Sequence, residues 1–160
     1  METPDKSRWH SLFDNFKRAF ILLREAIEQS REQELTQLEK EGIIQRFEYT
    51  MELAWKTMTD YLEYQNIVFE QITPRAVIKE AFAAKLIEDG QIWMDALDAR
   101  NKMSYTYDFK KFEDVIEAIN KHYLHVIETL YYPPLKPDMN RVSQTLFSPI
   151  DLLNPKESFQ

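Results

Sequence analysis

The stretch QRFEYTMELAWKTMTDYLEYQ, residues 45–65, is the clearest indicator of the fold. Its apolar side chains recur at steps of three and four residues, and that spacing places them on one face of an α-helix. The stripe consists of Phe47, Met51, Ala54, Trp55, Met58 and Leu62. We therefore predict a long helix over about residues 35–65. We expect it to break or bend near Gly42, because glycine weakens a helix interior.

The same periodicity continues on both sides of this helix. Residues 5–29 carry an aromatic stripe of Trp9, Phe13, Phe16 and Phe20. We interpret this stripe, together with Phe47 and Trp55, mainly as core, with a helix–helix dimer surface as the alternative for part of it. Thr73-Pro74 predicts another helix start, because threonine caps a helix and proline fits its first turn. Together the patterns predict helices over about residues 5–29, 35–65, 74–85, 91–100 and 109–130, with an apolar connection at 66–69, a turn at 88–90 and a cap at Asp108.

The glycine content favours helices over strands. The chain has 160 residues and only 2 glycines, whereas a β-rich fold needs many turns and turns rely on glycine. Amphipathic helices with short connections pack as a bundle. We predict an all-α fold, a four-to-five-helix bundle in one domain over residues 1–132.

The chemistry of the chain changes after Leu130. Five of its 7 prolines follow, at positions 133, 134, 137, 149 and 155, and no long helix tolerates that spacing. Leu146, Phe147 and Ile150 are nevertheless apolar. We interpret residues 133–160 as a Pro-rich C-terminal arm that docks on its own domain or on a partner, with plain disorder as the alternative.

Composition removes several classes of function. The chain has no cysteine, which excludes disulfides, thiolate zinc sites and cysteine nucleophiles. Its net charge is −7, which argues against broad nucleic-acid binding, although a local basic cleft stays open. The N-terminus lacks the pattern of a signal peptide, and no apolar run is long enough for a membrane span. We therefore expect a cytoplasmic protein with no membrane association.

No residue pattern indicates a metal site. Glu48 and Glu52 are four residues apart, but di-iron bundles also need Glu-x-x-His on a second helix, and this chain contains no Glu-x-x-His. His122 and His125 lie three apart without a third ligand in sequence range. We interpret them, and the lone His10, as ordinary core or surface residues.

The densest polar cluster is DALDARNKMSYTYD, residues 95–108. Arginine, asparagine and lysine in succession are poor core residues. If the helix continued, Arg100 and Tyr107 would lie on one line and Tyr105 well off it. Two interpretations stay open, a helix end solvated by its own polar groups and a binding site.

Several blocks of this sequence resemble one known family. QRFEYTMELAWKT at 45–57 resembles a signature of the nucleotidyltransferase substrate-binding proteins, a branch of the HEPN superfamily. Further stretches of this chain resemble the rest of the signature and follow one another in the order found in the family. They are PRAVIKEAF at 74–82, LIEDG at 86–90, Trp93, and Arg100-Asn101 through Thr106-Tyr107-Asp108. The resemblance covers about residues 9–130. Lys85 departs from it, because related sequences tend to carry glycine there.

The resemblance implies an up-and-down bundle that forms a homodimer and pairs with a separate minimal nucleotidyltransferase. In such a pair the helical subunit binds substrate or the partner, holds no cofactor and is itself non-catalytic. The partner supplies the metal-dependent transfer, with Mg²⁺ and a nucleoside triphosphate.

Related HEPN proteins are ribonuclease toxins of toxin–antitoxin pairs, with the motif Arg, four residues, His, one residue, Tyr. In that group the nucleotidyltransferase can neutralise the toxin by adenylylating the motif tyrosine. On this chain the arginine is Arg100, the histidine position holds Tyr105, and the tyrosine is Tyr107. Phenol, with a reference pKa of about 10, does not exchange protons near pH 7 as imidazole does.

The resemblance therefore implies a substrate- or nucleotide-binding site of Arg100, Asn101, Tyr105 and Tyr107, with Tyr107 as a candidate adenylylation acceptor. The alternatives are a HEPN-type ribonuclease, in which Arg100 contacts the scissile phosphate between two protomers, and a purely structural helical adaptor.

Overall fold

The computed structural model describes the backbone of residues 6–131 and the side chains of residues 8–131. These residues form α1 (Lys6–Glu32), α2 (Gln37–Tyr64), α3 (Pro74–Ala83), α4 (Gly90–Met103), α5 (Phe109–Ala118) and α6 (Leu124–Tyr131), and a π-helical turn (Ile119–Tyr123) joins α5 to α6. The described residues include no strand, so the all-α prediction is confirmed. None of these helices is long and apolar enough to cross a membrane. The predicted arm at 133–160 lies outside the described residues.

α1 and α2 form an antiparallel pair, the most extensive helix contact in the described chain. The start of α1 meets the end of α2, where Arg8 Nε lies 2.7 Å from Asp60 Oδ2. The aromatic stripe of α1 is at most 5% exposed (Trp9, Phe13, Phe16 and Phe20). Trp9 packs on Tyr61 of α2, whereas Phe20 packs on Tyr131 of α6. Full burial of one large apolar side chain stabilises a fold by about 1.5–3 kcal/mol. The interpretation of this stripe as core is confirmed.

The other long helices alternate in direction. α4 runs antiparallel to α2, because Arg100 approaches Glu52 while Ser104 approaches Glu48 one turn earlier in α2. α5 and α6 run parallel to α2, with Lys40 paired to Glu113 and the Phe47 ring stacked on Tyr123. Short α3 packs on α2 and α4. The helices therefore form an up-and-down bundle.

α2 is continuous through Gly42, so no break occurs there. A capping box fixes its start, because Thr36 Oγ1 accepts from the Glu39 backbone N–H while the Glu39 side chain accepts from the Thr36 backbone N–H. A Cβ at Gly42 would meet no atom within 4 Å. The glycine therefore leaves a gap beside the helix without interrupting it.

The fifth predicted helix is present with one irregularity. Asp108 caps α5 as expected, its side chain accepting from the Lys110 backbone N–H at 3.0 Å. The π turn then inserts between α5 and α6 without breaking the helical path. It presents the ring of Tyr123 to Phe47 at a centroid distance of 5.9 Å. Local periodicity does not indicate such a turn, because the apolar face continues on both sides of it.

α2 and α3 end with the same backbone motif. At the end of α3, the Leu86 N–H donates to the Ala81 carbonyl at 2.9 Å and the Lys85 N–H to the Phe82 carbonyl at 3.0 Å. This Schellman motif needs a left-handed residue, and Lys85 has φ 61°. α3 thus ends at Ala83, two residues before its predicted end. The left-handed backbone also explains why glycine suits position 85.

Replacing Lys85 by glycine should stabilise the protein. A side chain in the left-handed region costs about 1–2 kcal/mol, and glycine removes this cost. The greater conformational freedom of glycine in the unfolded chain offsets roughly 0.5–1 kcal/mol of the stabilisation. We expect Lys85→Gly to raise the free energy of unfolding by up to about 1 kcal/mol, measured by urea denaturation.

Two control variants separate backbone strain from loss of the lysine side chain. Lys85→Ala keeps the strain and should give no gain. Asn66→Gly at the end of α2, where φ is 67°, should gain less, because asparagine tolerates this region. Equal gains in Lys85→Gly and Lys85→Ala would show that backbone strain is not the cause.

Candidate functional site

Arg100 continues the buried face of α4. Trp93, Ala96 and Leu97 on this face are 0%, 0% and 5% exposed. Arg100 follows Leu97 by three residues, and Met103, 6% exposed, follows Arg100 by three more. Because this face packs toward α2, the Arg100 side chain approaches α2 and is only 31% exposed.

The Arg100 guanidinium meets a carboxylate that is held from within α2. Arg100 Nη2 lies 3.9 Å from Glu52 Oε1, which is an ion-pair contact and too long for a hydrogen bond. The other Glu52 oxygen, Oε2, accepts from Trp55 Nε1 at 2.9 Å. Lys56 Nζ lies 4.0 Å from Oε1. Trp55 and Lys56 reach Glu52 because they follow it by three and four residues on one helix face.

Most of the Arg100 donors remain available. A guanidinium carries five N–H donors in a planar fork, and Arg100 Nη1 donates to Asn101 Oδ1 at 3.4 Å. Among the described residues, this is its one side-chain hydrogen bond. A half-buried guanidinium with open donors can bind a phosphate or carboxylate through two parallel hydrogen bonds.

Ser104 makes a second link between α4 and α2. Its Oγ lies 3.1 Å from Glu48 Oε2 and 3.2 Å from the Arg100 carbonyl oxygen. A hydroxyl has one proton, so Ser104 can donate to one of these acceptors at a time. Glu48 and Glu52 therefore both belong to the α2–α4 contact around Arg100.

The connection from α4 to α5 exposes two tyrosines. α4 ends at Met103, so Tyr105 and Tyr107 lie on a turn and not on a continued helix. Their exposed fractions are 74% and 90%. The helix does not continue to Tyr107, so the condition under which Tyr107 and Arg100 would share one helix line is not met. Asp108 closes the turn as the N-cap of α5.

The end of α4 and the start of α5, which flank this turn, are basic although the whole chain is acidic. Within residues 100–111, Arg100, Lys102, Lys110 and Lys111 stand against a single carboxylate, Asp108. Phe109, 41% exposed, adds a third accessible ring beside the two tyrosines. Such a surface can contact phosphates with its cations and stack its rings on planar groups.

A groove of about 650 Å³ lies on the same face of α2, beyond Glu52 toward the end of the helix. Burial raises the pKa of the Asp60 carboxyl in its wall, against the opposite effect of Arg8. Trp55 and Lys56 border both the groove and the Glu52 carboxylate. The groove is lined by Arg8, Ser11, Leu12, Trp55, Lys56, Thr59, Asp60, Glu63 and Ile72.

The structure brings together only part of the predicted site. Arg100 contacts Asn101, whereas Tyr105 and Tyr107 stand on the exposed turn. Sequence reasoning weighed Glu48 and Glu52 only as a metal pair, rejected that interpretation, and did not place them beside Arg100. Within the described residues, no group of three or more His, Cys, Asp or Glu could hold a metal ion. The sequence did contain a signal for this contact. Arg100 follows Leu97 by three residues, so it shares the apolar face of α4 that packs toward α2.

The chain matches one family over most of its length. A sequence model of the family described as "nucleotidyltransferase substrate binding protein like" matches residues 11–133. A protein of Haemophilus influenzae named probable ribonuclease HepT is 36% identical over 82 residues, which make up 49% of this chain and 56% of that protein. The chain thus spans about half the length of this curated relative.

A solved structure supports the fold. A crystal structure of a protein from Thermus thermophilus superimposes with a TM-score of 0.62 at 24% identity, over 72% of this chain and 94% of that one. At this identity the similarity supports the helical architecture alone.

Chemical nitration should report the exposed turn. Tetranitromethane reacts with accessible phenols, so we expect Tyr105 and Tyr107 to be nitrated well before Tyr61, which is 4% exposed. Peptide mapping by mass spectrometry after a short reaction measures the order. Protection of both tyrosines at every protein concentration would contradict their exposure. Protection that appears only at high concentration would show that self-association covers the turn.

Proposed function

Because the chain belongs to the family of nucleotidyltransferase substrate-binding proteins, we propose that it is a binding and regulatory subunit that pairs with a separate minimal nucleotidyltransferase. In this proposal the partner performs the transfer with Mg²⁺ and a nucleoside triphosphate. This chain supplies the binding surface as a homodimer and is itself non-catalytic.

The Arg100 guanidinium carries the proposal. It is fixed at the α2–α4 contact, is 31% exposed and keeps open donors. Hydrogen bonds to a charged group contribute about 1.5–3 kcal/mol, which is enough for one arginine to dominate the recognition of a phosphate. Asn101, exposed beside it, adds an amide that can donate or accept.

The exposed turn suits contact with the partner. Tyr107 is 90% exposed, so its phenol can reach the active site of a second protein. If the partner adenylylates it, the Tyr107 oxygen forms a bond to the α-phosphorus of ATP. The bond from that phosphorus to the bridging oxygen breaks, pyrophosphate leaves with the electron pair, and the phenol proton passes to a base or to water.

Capture of the tagged chain from its native extract tests the pairing. We expect a small nucleotidyltransferase in stoichiometric amount, identified by mass spectrometry. In the reconstituted pair, Arg100→Ala should weaken nucleotide binding roughly 10-fold or more. Arg18→Ala, which removes an exposed arginine of α1, should leave it unchanged. Incubation with ATP should add one AMP to the natural chain and to the Tyr105→Phe variant. It should add none to the Tyr107→Phe variant.

Two results would overturn this function. Recovery of the tagged chain with no companion but itself would remove the pairing. Nucleotide transfer by the purified chain alone would show that it is an enzyme in its own right.

A ribonuclease is the second candidate, favoured by the cations and exposed rings of residues 100–111. The relative named probable ribonuclease HepT points the same way. Against it stands Tyr105 at the motif position of histidine. Loss of a general acid or base typically slows a reaction about 10²- to 10⁴-fold. The acidic balance of the chain also opposes the binding of long RNA.

Cleavage of cellular RNA decides between the candidates. For a binding subunit we expect no detectable cleavage by the natural chain. If the rest of the ribonuclease site is intact, Tyr105→His should make cleavage detectable, because a restored general acid or base typically speeds a reaction about 10²- to 10⁴-fold, and Arg100→Ala should abolish that cleavage. RNA cleavage by the natural chain that disappears in Arg100→Ala would replace the binding-subunit proposal with the ribonuclease.

A further inference from the structure

The Glu52 carboxylate lies between Arg100 of α4 and two residues of its own helix, Trp55 and Lys56. Arg100 attracts it by charge, yet the shortest contact of Glu52 is with the Trp55 indole, at 2.9 Å against 3.9 Å for the guanidinium. Lys56 Nζ, 4.0 Å from the same carboxylate oxygen that faces Arg100, also draws Glu52 toward its own helix. The Glu52 oxygen therefore lies about 1 Å farther from the Arg100 nitrogen than in a closed, charge-assisted hydrogen bond.

This arrangement differs from an ordinary arginine–carboxylate pair. Such a pair normally closes to about 2.7–2.9 Å with two parallel hydrogen bonds, and a closed pair would use the fork that an incoming phosphate needs. Arg100 and Glu52 are both about one-third exposed, with side-chain values of 31% and 34%. Exposure at this level leaves room for the side chains to close on each other once the competing contact is removed.

We propose that Trp55 is a positioning residue that holds Glu52 away from Arg100 and so keeps the guanidinium open for a phosphate-bearing ligand. Glu52 is the internal competitor of that ligand, and the Trp55 indole N–H sets how strongly it competes. The ligand part of this inference rests on the function proposed above. The contact between the three side chains does not.

The geometry of α2 supports a dedicated role for Trp55. The other aromatic residues of the α1 and α2 stripes are core, with Phe16, Phe20 and Phe47 all 0% exposed. Trp55 instead is only partly buried and borders the groove on α2. Its ring packs against the edge of the core, and its indole N–H donates to Glu52.

Three variants test the proposal with inorganic pyrophosphate as the probe, measured by calorimetry. Glu52→Gln keeps an acceptor for the indole but removes the charge, and should raise pyrophosphate affinity roughly three- to tenfold. Trp55→Phe keeps a ring but lacks the N–H. Glu52 then closes on Arg100, and affinity should fall roughly two- to fivefold. In the double variant Trp55→Phe/Glu52→Gln, affinity should return to the level of Glu52→Gln.

The double variant separates positioning from a merely structural effect. If Trp55 only supported the local fold, its substitution would lower affinity equally with glutamate or glutamine at position 52, and the proposal would be overturned. Glu63→Gln is the charge-matched control, because Glu63 lies on the same face of α2 about 16 Å along the helix from Glu52. An equal gain in Glu63→Gln would assign the effect to net charge and also overturn the proposal.

A measurement without ligand keeps this inference separate from the proposed function. In the nitrogen-15 NMR spectrum, the Arg100 Nε–H signal, assigned by its loss in Arg100→Ala, should shift and exchange more slowly with water in Trp55→Phe. An unchanged signal would overturn the inference. A changed signal together with no pyrophosphate binding by any variant would keep the Trp55–Glu52–Arg100 link and remove the phosphate site of the proposed function.

Discussion

The apolar interface between α1 and α2 fixes where the other helices lie. Four aromatic rings of α1 are buried in the bundle, Trp9 among them against Tyr61 of α2, and each contributes on the order of 1.5–3 kcal/mol. With one side of α2 committed to α1, its remaining surface receives α3, α4 and α5. α2 is thus the central helix of the described bundle. Side chains of α2 that flank its apolar stripe therefore lie where α2 meets a neighbouring helix.

The candidate site arises where Arg100 interrupts the apolar face of α4 beside this central helix. The face runs through Trp93, Ala96 and Leu97 and then reaches a charged residue, Arg100. A half-buried guanidinium is unfavourable without a counter-charge, and α2 provides Glu52 at that level. The two carboxylates of this junction, Glu48 and Glu52, stand against the two cations Arg100 and Lys56. The local charge is therefore balanced before any ligand arrives.

Local pattern was sufficient for most of the fold. Periodicity and caps predicted the five helical segments, and Thr73 and Asp108 occupy the capping positions assigned to them. The predicted break at Gly42 is absent, because tertiary packing on both sides of α2 outweighs the low helix propensity of one glycine. Lys85 was noticed only as a departure from related sequences. The structure shows why the position matters, because a left-handed residue ends α3 there.

The site was less predictable than the fold, for a physical reason. A helical pattern reports which residues share a face, but it does not report which residue of another helix lies opposite. Arg100 and Glu52 are far apart in the chain, and their meeting depends on the axial register of α4 against α2. Trp55 illustrates the same limit. Its spacing placed it in the core stripe, whereas its partial burial and its bond to Glu52 place it at the margin of that stripe.

The charge distribution favours a small ligand at this site over a long polyanion. At about 0.1 M salt, exposed charges are screened beyond roughly 10 Å, so a mononucleotide phosphate at Arg100 would interact mainly with the cations of residues 100–111 and with the nearby carboxylates Glu48 and Glu52. A long nucleic acid extends beyond that distance and meets more of a chain whose net charge is −7. Its binding would gain from four local cations and lose to the surrounding acids. The acidic balance therefore does not oppose the proposed phosphate recognition at Arg100; it would limit the size of the anion that can bind there.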